Sequence, residues 1–103
     1  MSEARIAALK ELLAHDPHDT MLLFGLGNDY YELGQLPEAV QYFTRAVEVD
    51  PEYAAAYVRL AWVYERMQQP ELARDILTRG RGPIERSGDR NLIAEMEDIL
   101  DLL

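Results

Sequence analysis

The chain has 103 residues, of which 49% are apolar and 28% charged, with a formal net charge of −9 and no cysteine. That length admits one domain with a buried core, and the composition excludes a disordered chain. The missing cysteines exclude disulfide and thiolate chemistry, and the excess of acids argues against a nucleic-acid phosphate partner.

No apolar run reaches bilayer length, and the opening Met1–Arg5 stretch has no apolar leader core. No membrane partner is expected, and the cytoplasm is the expected compartment. The acid excess is uneven. Five arginines fall between Arg74 and Arg90, either as a local basic patch or as a solvated helix end and loop.

The first predicted helix covers 2–15, with Ile6, Leu9, Leu12 and Leu13 at helical spacing and Ser2 available as its N-cap. His15-Asp16-Pro17 ends it, because the residue before a proline is steered out of the α region. The second helix, about 20–33, is apolar around most of its girth, from Met21 through Leu33. Such a helix is buried on more than one side. Gly25 and Gly27 lower its propensity and let a neighbour approach, and Gly34 supplies a C-cap.

Pro37 opens the third helix, whose stripe is Val40, Phe43, Ala46 and Val47, and Asp50-Pro51 closes it. The fourth, about 53–67, places Tyr57, Leu60, Ala61 and Tyr64 in the register of the second. Pro70 opens the fifth, with Leu72, Ala73, Ile76 and Leu77. Gly80-Arg81-Gly82-Pro83 is expected to break or kink that helix, with a turn resuming at Ile84 before Ser87-Gly88. The last helix, about 89–102, sets Leu92, Ile93, Met96, Ile99, Leu100 and Leu103 on one side and Glu95, Glu97, Asp98 and Asp101 on the other. That pattern suits a lid over the end of a helical stack.

Asp16-Pro17 and Asp50-Pro51 are 34 residues apart, and their surroundings share the offset: Leu26 with Leu60, Tyr30 with Tyr64, Ala39 with Ala73. This is the period of a helix–turn–helix repeat. Short connections make successive helices antiparallel neighbours, so the fold class is all-α, a solenoid of about six helices. Small residues at Gly27, Ala39, Ala61 and Ala73 permit close crossings, and Tyr30, Phe43, Tyr64 and Leu77 fill the spaces between them.

Leu23, Leu26-Gly27, Tyr30, Gly34, Ala39, Phe43, Ala46 and Pro51 together resemble the signature of the tetratricopeptide repeat family. A second copy has Tyr57, Leu60-Ala61, Tyr64, Ala73 and Leu77, but Gln68, Gly80 and Glu85 depart from the pattern. The resemblance implies a right-handed superhelix in one domain over 1–103. Its parts are a flanking helix at 2–16, repeat one at 20–53, repeat two at 54–87 and a capping helix at 88–103.

The resemblance further implies a non-catalytic adaptor that binds a peptide or partner helix in a concave groove. The groove positions map to Met21, Phe24, Asn28, Tyr31 and Glu32 in the first repeat. In the second they map to Ala55, Val58, Arg59, Trp62, Glu65 and Arg66. The strongest groove candidates are Phe24, Asn28, Tyr31, Arg59, Trp62 and Arg66. Some family members clamp a C-terminal carboxylate in this groove with lysine, asparagine and arginine; Asn28 matches one clamp asparagine, and Arg59 sits where the clamp has another. Phe24 replaces the first clamp lysine, so the clamp is incomplete. Tyr31 and Trp62 are either exposed anchors for a partner or partly covered by the last helix.

Nothing in the sequence points to catalysis, a cofactor or a metal. His15 and His18 flank a helix-breaking Asp-Pro, which spoils their alignment as ligands. Gly80-Arg81-Gly82 leads into Pro83 and not into a phosphate-cradling helix start. The alternative function is self-assembly, with Ile6, Leu9 and Leu13 of the first helix buried in a homodimer.

Overall fold

A computed structural model describes residues 2–103 and shows six helices in chain order. They are α1 (Ser2–His15), α2 (Thr20–Glu32), α3 (Leu36–Val49), α4 (Ala54–Arg66), α5 (Pro70–Ser87) and α6 (Arg90–Leu102). The expected Ser2 cap lies outside the described side chains. No strand occurs among the described residues, and the molecule is an all-α helical repeat solenoid. The closest packing is within the hairpins α2–α3 and α4–α5. α1 leans on α2, and α6 packs on both α4 and α5.

The turns between helices explain why hairpins form. Asp19 caps α2, its Oδ1 accepting from the Leu22 N–H at 3.1 Å, and Asp89 caps α6 by accepting from Asn91 and Leu92. At the second Asp-Pro turn, Asp50 Oδ1 accepts from the Glu52 N–H at 3.0 Å. The Tyr57 hydroxyl donates to the Pro51 carbonyl at 2.8 Å, tying that turn to α4. Burial pushes this hydroxyl above the ordinary tyrosine pKa.

The small-against-large pattern is realised in the core. Ala39, Ala46, Ala61 and Ala73 are fully buried, and Phe43, Leu23, Leu26, Leu60 and Leu77 surround them. Tyr64 is only half-buried, so it fills less of the interior than its register suggests. A Cβ on Gly27 would stand 2.6 Å from the Phe43 ring, so glycine is what lets α3 close on α2. Gly25 is different: a Cβ there would meet Leu9 at an ordinary 3.5 Å.

Two expectations fail. The fifth helix does not break: α5 runs unbroken from Pro70 to Ser87 with Pro83 inside it, and it ends at Gly88 in the left-handed region, φ 67°. Gly80, Pro83 and Ile84 are all buried, and the Tyr57 ring lies directly on Gly80, where a Cβ would stand 2.5 Å away. Tertiary packing of this face outweighs the local cost of glycine and proline. The pairing face proposed for α1 is also not free. Ile6 and Leu13 are buried in the chain's own core, and Leu12 is the exposed apolar residue of α1.

Two arginines of the cluster, Arg81 and Arg86, are ion-paired within the chain. Arg86 forms a bidentate pair with Glu52 at 2.7 and 2.9 Å, which holds the Glu52 carboxyl below its usual pKa. Arg81 lies 3.8 Å from Glu85, and Arg74 donates to the Leu103 carbonyl at 3.2 Å. All five arginines are exposed, as on a solvated helix face.

Candidate functional site

The first helices of the two hairpins, α2 and α4, line an open cleft of about 620 Å³. From α2 come Asn28, Asp29, Tyr31 and Glu32, and from α4 come Arg59 and Trp62. Arg5 of α1 closes one side. Asn28 and Glu32 are one helical turn apart, which is why both reach the same wall. Arg59 and Trp62 are related by the i, i+3 spacing on α4.

Four of the six expected groove residues, Asn28, Tyr31, Arg59 and Trp62, therefore share one cavity. Phe24 and Arg66 do not line it. The Phe24 ring sits 5.6 Å from Phe43 and 5.3 Å from Tyr53, half-buried in an aromatic cluster. The Arg66 guanidinium lies 5.1 Å above the Tyr31 ring and covers that face through a cation–π contact.

The wider groove set divides in the same way. Val58 is fully buried and so cannot meet a partner. Met21 is 75% exposed but stands apart from the cleft. Glu65 borders a separate depression with Leu102 and Leu103. His15 and His18 are both exposed.

The last helix covers part of the second hairpin's groove face. Glu95 Oε1 accepts from Arg59 Nη1 at 3.2 Å and from the Trp62 indole N–H at 3.1 Å. Trp62 is thus held by α6 through its polar edge while still forming part of the cleft wall. The pair Arg59–Glu95 is partly exposed on both sides, so solvent screens it.

Two cleft residues, Arg5 and Asp29, were not among the sequence candidates. Asp29 is 3% exposed, and Arg5 Nε lies 2.9 Å from its Oδ2. The N–H is not directed at that oxygen, so Oδ2 is buried without a hydrogen bond, and the pair is a charge contact only. A sequence signal for Asp29 existed: 34 residues on stands Val63, fully buried, so a carboxylate occupies a core register. No comparable signal marks Arg5.

The profile of the TPR repeat family matches residues 27–68. A TPR repeat-containing protein of Pseudomonas aeruginosa is 30% identical over 91 residues, covering 88% of this chain and 87% of that protein. Among solved structures, the TPR2B domain of yeast Sti1 in complex with pHsp70 superposes with a TM-score of 0.84 at 21% identity, covering 91% of this chain and 75% of that one. The first TPR of Spaghetti (RPAP3) bound to the HSP90 peptide SRMEEVD gives 0.81 at 20% identity, covering 98% and 80%. A MamA structure gives 0.77 at 24% identity, covering 84% and 49%. At these identities the structural likenesses speak for the fold.

Proposed function

Since this chain belongs to the tetratricopeptide repeat family, a fold that generally mediates protein interactions, we propose that it is a protein-binding module that holds a peptide or partner helix in the cleft between α2 and α4 and catalyses nothing. The observation that carries this reading is the convergence of Asn28, Tyr31, Arg59 and Trp62 from two successive hairpins on one open cavity. Aromatic faces beside hydrogen-bonding groups are the usual makings of a peptide site. The similar TPR2B domain of Sti1 forms a complex with pHsp70, and the first TPR of RPAP3 binds an HSP90 peptide, which supports the interaction class. A cytoplasmic setting belongs to the same proposal, and cell fractionation tests it.

The direct test is capture of partners by the wild-type chain against Arg59→Glu/Trp62→Ala. The double variant should keep its helical circular dichroism and lose partner affinity by about tenfold or more, as expected for an aromatic anchor and a charge at the centre of a site. Equal capture of the same partners by both chains would place binding elsewhere on the molecule.

A further inference from the structure

Asp29 is an expensive residue where it stands. Its register in the second repeat is filled by Val63, and a buried carboxylate is costly unless ion pairs and hydrogen bonds compensate it. The compensation here is incomplete. Arg5, whose side chain is 64% exposed, touches Oδ2 at 2.9 Å without hydrogen-bonding it.

The surrounding charges indicate what could complete it. Arg59 is matched by Glu95, and Arg5 stands against Asp29 itself. The charged lining residues Arg5, Arg59, Asp29 and Glu32 balance in number, but with Arg5 on Asp29 and Arg59 on Glu95 of α6, Glu32, exposed on the same wall, is the acid left without an ion-pair partner among the described residues. Tyr31 and Trp62 border the cavity, and Arg66 already stacks on Tyr31, so the local chemistry accommodates guanidinium on aromatic faces. The chain as a whole carries −9.

We infer that the cleft recognises an arginine side chain of the bound segment, with Asp29 as its anchor and Arg5 as an internal guanidinium that the ligand displaces. A guanidinium fits because its planar fork can donate two parallel hydrogen bonds to one carboxylate, which the present Arg5 contact does not achieve. This inference rests on the cleft being the binding site and adds the chemistry of the occupant.

The test titrates N-acetyl-arginine amide, its uncharged isostere N-acetyl-citrulline amide and N-acetyl-glutamate amide into the isotope-labelled chain, followed by amide shifts. The arginine probe should move the Asn28–Glu32 amides and the Trp62 indole. Citrulline should bind about tenfold more weakly, the scale of one charge-assisted hydrogen bond. Asp29→Asn, close to isosteric, should reduce the arginine probe to the citrulline level. Arg5→Ala should strengthen arginine binding by a few-fold, since a competitor has gone.

Equal binding of arginine and citrulline to the wild-type chain overturns the inference, and that comparison needs no variant to fold. So does an arginine affinity unchanged in Asp29→Asn or in Arg5→Ala, or shifts confined to other surfaces. If the glutamate probe moves the same amides and arginine does not, the charge assignment falls while the cleft reading stands. Loss of the cleft reading itself is decided separately, by the partner capture of Arg59→Glu/Trp62→Ala.

Discussion

Gln68 adopts a backbone conformation that glycine would adopt more cheaply. Its φ is 60°, and the matching residue of the first repeat is Gly34, φ 77°. Both close the same helix-end motif. Gly34 and Gln35 donate to Tyr31 and Tyr30, and Gln68 and Gln69 donate to Glu65 and Tyr64. Those bonds hold Gln68 in the left-handed region despite its Cβ. Gln68→Gly should therefore stabilise the fold by about 0.5–1 kcal/mol, the relief of strain less glycine's extra unfolded-state entropy, as read by urea denaturation. A second residue pair exchanges volume between repeats. Leu23 and Ala46 in the first become Tyr57 and Gly80 in the second, with the ring lying on the glycine. Gly80→Ala should cost about 1–3 kcal/mol by overpacking, despite alanine's better helix propensity. In the double variant Gly80→Ala/Tyr57→Leu, part of that loss should return because the first repeat's pairing is restored; strictly additive losses would refute the exchange.

Among the elements, α5 departs most from what its local sequence suggests. Gly80, Gly82 and Pro83 disfavour a helix, yet α5 continues to Ser87 because Gly80, Pro83 and Ile84 form its buried face. Ile84 keeps the helical register of Leu77, which was visible in the spacing, but the depth of its burial was not. No Asp-Pro occurs near position 85, and the bias that Pro83 places on the preceding Gly82 is overcome by that buried face, unlike the turns before Pro17 and Pro51. Pro83→Ala restores one backbone N–H to a continuous helix, a gain of about 3 kcal/mol set against roughly 1–2 kcal/mol of lost apolar contact. The expected result is a net stabilisation of about 1–2 kcal/mol with increased helicity, measured by thermal unfolding and circular dichroism. If the chain were broken at Pro83, the substitution would bring only the loss.

At the scale of the molecule, α6 decides how much of the second hairpin a partner can reach. Met96 and Ile99 bury its apolar side, and Glu95 holds Arg59 and Trp62 from the adjoining turn. The radius of gyration, 13.2 Å, is that of a compact globule of this length, so the two repeats and their flanking helices share one core. Trp62, the single tryptophan, reports on this contact. Glu95→Ala should shift its emission to the red and raise its acrylamide quenching, with little change in helicity, because the indole N–H loses its partner and the cleft opens. An emission spectrum identical to wild type would show that α6 does not hold Trp62 in solution.

The amino-acid order by itself determined the repeat. The 34-residue offset carries the small residues, the large ones and the two Asp-Pro turns together, and short-range sterics then dictate helices and hairpins. The resemblance to the family, laid over that register, also marked Asn28, Tyr31, Arg59 and Trp62 as groove candidates, and the four line one cavity. Only the tertiary structure decided that Val58 is buried and Phe24 half-buried against Phe43 and Tyr53, that Arg66 lies over Tyr31, and that Glu95 reaches Arg59 and Trp62. These depend on which helix faces cross and at what distance, and periodicity along one helix carries no information about its neighbour. The same holds for Asp29: its register was visible, but its buried, unbonded oxygen beside Arg5 is a property of three helices meeting around one cleft.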